Sequence, residues 1–131
     1  MSDLSDFIEN HIGNHLFRNQ AYTPATTIYL ALFTSATGDA GTGTEASGSA
    51  YARKSFTFDA WSGTSGLQDN GAAITFVAAS GGNWGTITHC AIMDALTSGN
   101  MLAHSALASS VVINDGDTFE VAAGDLDLTF A

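Results

Sequence analysis

The spacing of apolar positions changes once along this chain. Leu4, Phe7, Ile8, Ile12 and Leu16 recur every three or four residues, which lines them along one side of an α-helix, and Ser2 or Asp3 is placed to cap its start. The polar side carries Asp6, Glu9, Asn10 and Asn14. Gly13 lowers the stability of such a helix by about 1 kcal/mol relative to Ala, so its order is expected to depend on docking against the body or a partner. Pro24 closes the segment.

From there the period falls to two. Thr26–Thr34, TTIYLALFT, is apolar on both alternating faces and reads as a central strand. Further strands are expected at Ala52–Phe58, Ala72–Ala79, Thr86–Met93, Met101–Leu107, Val111–Ile113, Thr118–Val121 and Leu126–Phe130. Turn signals separate them: Ser62-Gly63-Thr64-Ser65-Gly66, Asn70-Gly71, Gly81-Gly82-Asn83, Ser98-Gly99-Asn100, Asn114-Asp115-Gly116-Asp117 and Gly124. Val111 and Ile113 with Phe119 and Val121 suggest a hairpin, and Leu126, Leu128 and Phe130 alternate with Asp125, Asp127 and Thr129 in a half-buried closing strand. The expected fold is mainly β, a jelly-roll-like β-sandwich of about eight antiparallel strands with one N-terminal amphipathic helix. The 131 residues suit one domain, with a helix segment over 1–20 and the sandwich body over 24–131.

Composition supports an ordered, weakly charged globule: 45% of residues are hydrophobic and 12% charged. Three bases, Arg18, Arg53 and Lys54, stand against 13 acids, for a net charge of −10, so no basic stripe exists for nucleic acid or an anionic membrane surface. No apolar stretch approaches the roughly 20 residues of a membrane span, and no leader pattern is present. The lone Cys90 excludes an internal disulfide and reads as a small core hydrophobe.

Candidate chemistry is sparse. His11 and His15 stand four apart on the helix, a metal-ligand spacing, but Ile12 occupies the place where a zincin pattern needs Glu. Asp115/Asp117 and Asp125/Asp127 could lend oxygens to calcium, although turn chemistry explains Asp115 and Asp117 more simply. His89 next to Cys90, and His104 next to Ser105, point to opposite faces of a strand and make no nucleophile–base pair; a distant pairing of His104 with Cys90 stays open. The glycines from Gly38 to Gly48 match no phosphate-binding fingerprint; a loop of about 16 residues is expected to be mobile or ordered by a partner, with Arg53 fixing it through Asp39 or Glu45, or pairing across subunits. No enzyme activity, cofactor or metal is expected.

Several of these pieces resemble one family. They are Leu4-Ser5-Asp6-Phe7-Ile8-Glu9-Asn10 with Phe17-Arg18-Asn19 and Ala21-Tyr22-Thr23-Pro24; Ile28 to Thr34; Glu45, Gly48, Tyr51, Ala52 and Arg53; Trp84 to His89; Asp94 with Gly99 to Leu102; and Gly116-Asp117 before Gly124-Asp125-Leu126. Taken in order, and over nearly the whole chain, they are similar to the small virion structural proteins of tailed bacteriophages labelled phage tail fibre or minor tail proteins. The resemblance implies a non-enzymatic virion component, made in the host cytoplasm, associated with the tail fibre or tail tip, and assembled in many symmetric copies with other phage structural proteins. Capsid decoration, as a cement protein, is the alternative placement, and a carbohydrate-binding sandwich module a weaker one. Expected interface residues are Phe7, Phe17, Arg18, Asp39, Glu45, Tyr51, Arg53 and Trp61, because aromatic and Arg anchors dominate such contacts; Trp84 is a further contact candidate or a core residue.

Overall fold

The chain enters as a strand before it becomes a helix. In a computed structural model that describes residues 3–61 and 66–129, β1 (Asp3–Leu4) pairs antiparallel with β7 (Met101–Ile113), Asp3 opposite His104 and Leu4 opposite Ala103. Ser5 then turns the backbone into α1 (Asp6–Arg18). Ser5, not Asp3, is the cap: its Oγ accepts from Ile8 N–H at 3.4 Å and donates to Met101 O, while its own N–H donates to Leu102 O at 2.9 Å. Asp3 is committed to the sheet ladder, which moves the helix start past it. Asn19, left-handed at φ 52°, ends the helix.

The remaining elements are β2 (Ile28–Phe33), β3 (Lys54–Phe56), β4 (Leu67–Asp69), β5 (Ile74–Thr75), β6 (Gly85–Met93), β8 (Glu120–Val121) and β9 (Asp127–Thr129). A five-stranded antiparallel sheet runs β1-β7-β6-β2-β3, and two ribbons, β4-β9 and β5-β8, complete the set. Strand alternation sorts β2 onto two interiors. Leu30 and Leu32, opposite Ile92 and Cys90, face the main core with Ile74, Phe76, Phe119, Leu126 and Leu128 from the ribbon side, a sandwich-like arrangement of unequal layers. Ala31 and Phe33 face the other way with Ala91, Met93 and Met101, where residues of the 34–45 segment close over them: a Cβ on Gly43 would stand 3.0 Å from the Phe33 ring.

The structure corrects several expectations. Met101–Leu107 and Val111–Ile113 belong to one strand, because β7 absorbs Leu107–Ser110 as a bulge opposite the single residue Thr88. The expected hairpin between Val111–Ile113 and Thr118–Val121 does not form: Val111–Ile113 pairs with β6, and β8 pairs with β5. Ala72–Ala79 supplies only the two residues of β5; beyond it, Phe76 N–H donates to Phe119 O and Ala79 N–H to Asp117 O. β1 and β4 are additional. Ser62–Ser65, Ser2 and Phe130 lie outside the described residues.

Candidate functional site

One edge of β2 carries the most connected polar group. β3 pairs with Ile28–Leu30, and the segment around Glu45 pairs with Phe33, through Ala46 N–H to Leu32 O at 2.8 Å and Thr34 N–H to Thr44 O at 2.9 Å. Between these two partners Leu32 N–H has no strand opposite it. The Tyr51 hydroxyl fills the gap, accepting from Leu32 N–H at 3.0 Å and donating to Glu45 Oε1 at 2.8 Å. Arg53 closes the group: Nε to Glu45 Oε1 and Nη2 to Oε2, each 2.8 Å, with Nη1 donating to Ala95 O and Ser98 O at 2.7 Å. Its side chain is 7% exposed, and the bidentate bond to Glu45 raises its pKa above the ordinary guanidinium value. Burial, with Glu45 close by, likewise holds the Tyr51 hydroxyl protonated well above the phenol range.

A second cluster pins the loop before it. His104 is buried on the face of β7 opposite Cys90; Nδ1 meets Thr37 Oγ1 and Nε2 meets Asp39 Oδ1, both at 2.9 Å. Asp39 O accepts Asp6 N–H at 2.8 Å, so the loop, β7 and the helix start share one set of bonds. The Gly-rich loop is thus ordered by its own chain rather than waiting for a partner, and Asp39 pairs with His104 instead of Arg53. Cys90 packs in the main core, where burial pushes its thiol up to about 11, and it does not meet His104.

The other candidates separate. His11 stacks on Tyr22 with centroids 4.5 Å apart and touches Phe7 edge-on, while His15 Nδ1 faces Gln20 O at 3.1 Å, so each imidazole has its own partner. Asp117 accepts from Asn114 N–H within its own turn, whereas Asp115 accepts from Gly81 N–H and ties that turn to the one around Gly81. Among the described residues, no group of three or more His, Cys, Asp or Glu side chains is gathered to hold a metal ion. Trp84 is buried and donates Nε1–H to Ser49 O, whereas Trp61 is 43% exposed.

The far end of the helix is exposed, as are the apolar side chains of Val77, Leu96 and Val112 elsewhere on the surface. α1 has no buried residue; Ser5 and Asp6 anchor its start, Ile8 and Ile12 lie half-buried, and Leu16 and Phe17 stand 65% and 85% exposed beside Arg18. Sequence reasoning picked out Phe17 and Arg18 but gave Leu16 to the docked side, and it missed the Thr37–His104–Asp39 cluster, whose members are 65 and 67 residues apart.

No individual curated protein matches the chain. A family model does: that of Podophage GP4 fiber I protein gp80 matches residues 3–129, nearly the whole length, and the chain belongs to that family of phage fibre structural proteins.

Proposed function

We propose that this chain is a non-catalytic attachment module associated with the tail fibre or tail tip, present in several symmetric copies and held in the virion by protein–protein contacts at the projecting end of α1. The observation that carries this reading is the exposure of Leu16 and Phe17 next to Arg18 in the last turn of a helix whose earlier turns lie against the body. An apolar and cationic tip on a chain of net charge −10 suits a partner surface with an apolar pocket and an acidic rim. Glu45, Tyr51, Arg53 and Asp39, by contrast, spend their hydrogen bonds within the chain and act as internal fasteners.

The test is incorporation into particles. Phe17→Ser with Arg18→Glu touches no core residue, so the purified variant should keep its fold while the number of copies per virion, counted by quantitative mass spectrometry, falls sharply. Unchanged copy number would overturn the assignment of α1 as the attachment element. The wild-type count itself separates a number set by tail symmetry from the far larger one of a capsid lattice, which would favour decoration of the head.

A further inference from the structure

The tip of α1 and a groove elsewhere on the same chain are complementary. The groove, about 460 Å3, lies between the Glu45–Arg53 segment and the β6–β7 turn at Leu96–Ser98. Ala46, Tyr51, Ala52 and Leu96 give it apolar walls, Leu96 standing 49% exposed. An apolar cavity of about 150 Å3 suffices for a benzene ring, so there is room here for one ring and a neighbouring side chain. Arg53 fixes both walls before any partner arrives: it holds Glu45 on one side and, on the other, the carbonyls of Ala95 and Ser98 that bracket Leu96. The rim is acidic. Arg53 has two carboxylates near it, Glu45 and Asp94, which leaves one negative charge in excess, and Lys54 is not among the lining residues. Glu45 Oε1 accepts two hydrogen bonds, from Tyr51 and Arg53, whereas Oε2 accepts one among the described residues; at 28% exposure it keeps a lone pair for a further donor.

We infer that this groove receives the helix tip of a second copy of this chain, Phe17 entering beside Leu96 and the Arg18 guanidinium meeting Glu45 Oε2 at the rim. Three observations carry it. Leu16 and Phe17, 65% and 85% exposed, form an apolar patch that their own body leaves uncovered. Arg18 spends one nitrogen on the exposed Asn14 Oδ1 and keeps the rest of its fork for a carboxylate. With Arg53 buried, Arg18 is one of only two cations that face solvent on a chain of net charge −10, so contact between otherwise repelling copies is favoured where that cation meets an acidic rim. The contact is head-to-tail. Each copy gives its tip to one neighbour and its groove to the other, which builds a symmetric set of copies without a self-complementary patch. The inference rests on the proposed attachment role for what the tip does and adds what it grips.

The purified full chain is followed by sedimentation velocity at rising concentration. Self-association with a Kd on the order of 100 μM is expected, weak because the contact is small. Phe17→Ser with Arg18→Glu removes the tip, and Leu96→Glu blocks the groove at an exposed position; each variant, once circular dichroism shows it folded, should be monomeric. Their equimolar mixture should form a dimer and nothing larger, because one working tip then meets one working groove, an outcome that tip-to-tip pairing does not give. If Leu96→Glu fails to fold, a Gln20→Cys chain mixed with a Thr97→Cys chain under oxidising conditions decides: the disulfide should join the two kinds in far higher yield than either gives alone. A wild-type chain that stays monomeric at about 1 mM, unaltered association in either variant, or a mixture that stays monomeric overturns the inference. Loss of the tip variant from virions while the wild type is monomeric in solution means that the tip grips a different protein, so the attachment reading stands and this inference falls. Unchanged copy number with lost association in solution means the reverse.

Discussion

Arg53 grips both carboxylate oxygens of Glu45, Nε on Oε1 and Nη2 on Oε2 at 2.8 Å, and uses its third nitrogen to hold the carbonyls of Ala95 and Ser98. One side chain thereby ties the loop beside β2 to the β6–β7 turn. The pair is mostly removed from water, with side-chain exposures of 7% and 28%, so removing one member leaves a partly buried charge. Arg53→Ala is expected to destabilise the chain by about 3 kcal/mol in urea unfolding. Arg53→Lys should recover only part of this, since an ammonium cannot reproduce the two-pronged bond. Full recovery by Lys would mean that charge alone matters here.

Tyr51 acts on the same edge through a different atom. Tyr51→Phe leaves Leu32 N–H without an acceptor on the edge it shares with the Glu45 segment, and takes a donor from Glu45, while the ring keeps its edge-on contact with Trp84 at 5.2 Å. The expected loss is about 1–3 kcal/mol. A double mutant with Arg53→Ala should cost less than the sum of the singles, because both act on Glu45.

The alternation of Leu30 and Leu32 against Ala31 and Phe33 made the central strand legible, since each face meets its own apolar cluster. Strand identity elsewhere depended on partners that no local pattern reveals. Leu67–Asp69 is a strand only because Thr129, Leu128 and Asp127 lie opposite it. Asp3 and Leu4 read as helix until β7 is present to pair with them. Ala108, Ser109 and Ser110 looked like a break between two strands, and the bulge against Thr88 carries one strand through them. At the site, the Glu45–Arg53 pair was readable because its members are eight residues apart, whereas His104 reaches Thr37 and Asp39 only after the sheet forms.

His104→Ala tests whether that cluster orders the loop. Two hydrogen bonds are lost at the side chain, and Asp39, already 64% exposed, turns to water at little cost, so a global loss of only about 1–2 kcal/mol is expected. The local effect should be larger. Amide exchange is predicted to quicken at residues 37–44 and at Asp6, whose N–H is bonded to Asp39 O, but not in β2 or β6. A uniform increase across the sheet would indicate a core packing role instead.

Gly13 offers a gain rather than a loss. A Cβ built there meets nothing within 4 Å, and the residue sits within α1, so Gly13→Ala should stabilise the chain by up to about 1 kcal/mol. Circular dichroism and urea unfolding would record it. No gain would show that α1 unravels separately from the body and adds nothing to the global transition.

Cys90 predicts how stability responds to alkali. Burial raises its thiol from an ordinary 9.0 to about 11, so the folded chain binds this proton more tightly than the unfolded chain does. The resulting stability is fully present below pH 9 and is lost as pH rises towards 11, by about 2–3 kcal/mol in all. Tyr51, raised chiefly by burial, adds a loss of the same sign above the phenol range. Urea midpoints at pH 7, 9 and 10.5 should therefore fall steeply in the wild type and less steeply in Cys90→Ala, whose remaining slope belongs to Tyr51 and should shrink further in Tyr51→Phe. Parallel losses in the wild type and Cys90→Ala would exclude the thiol as the group that titrates.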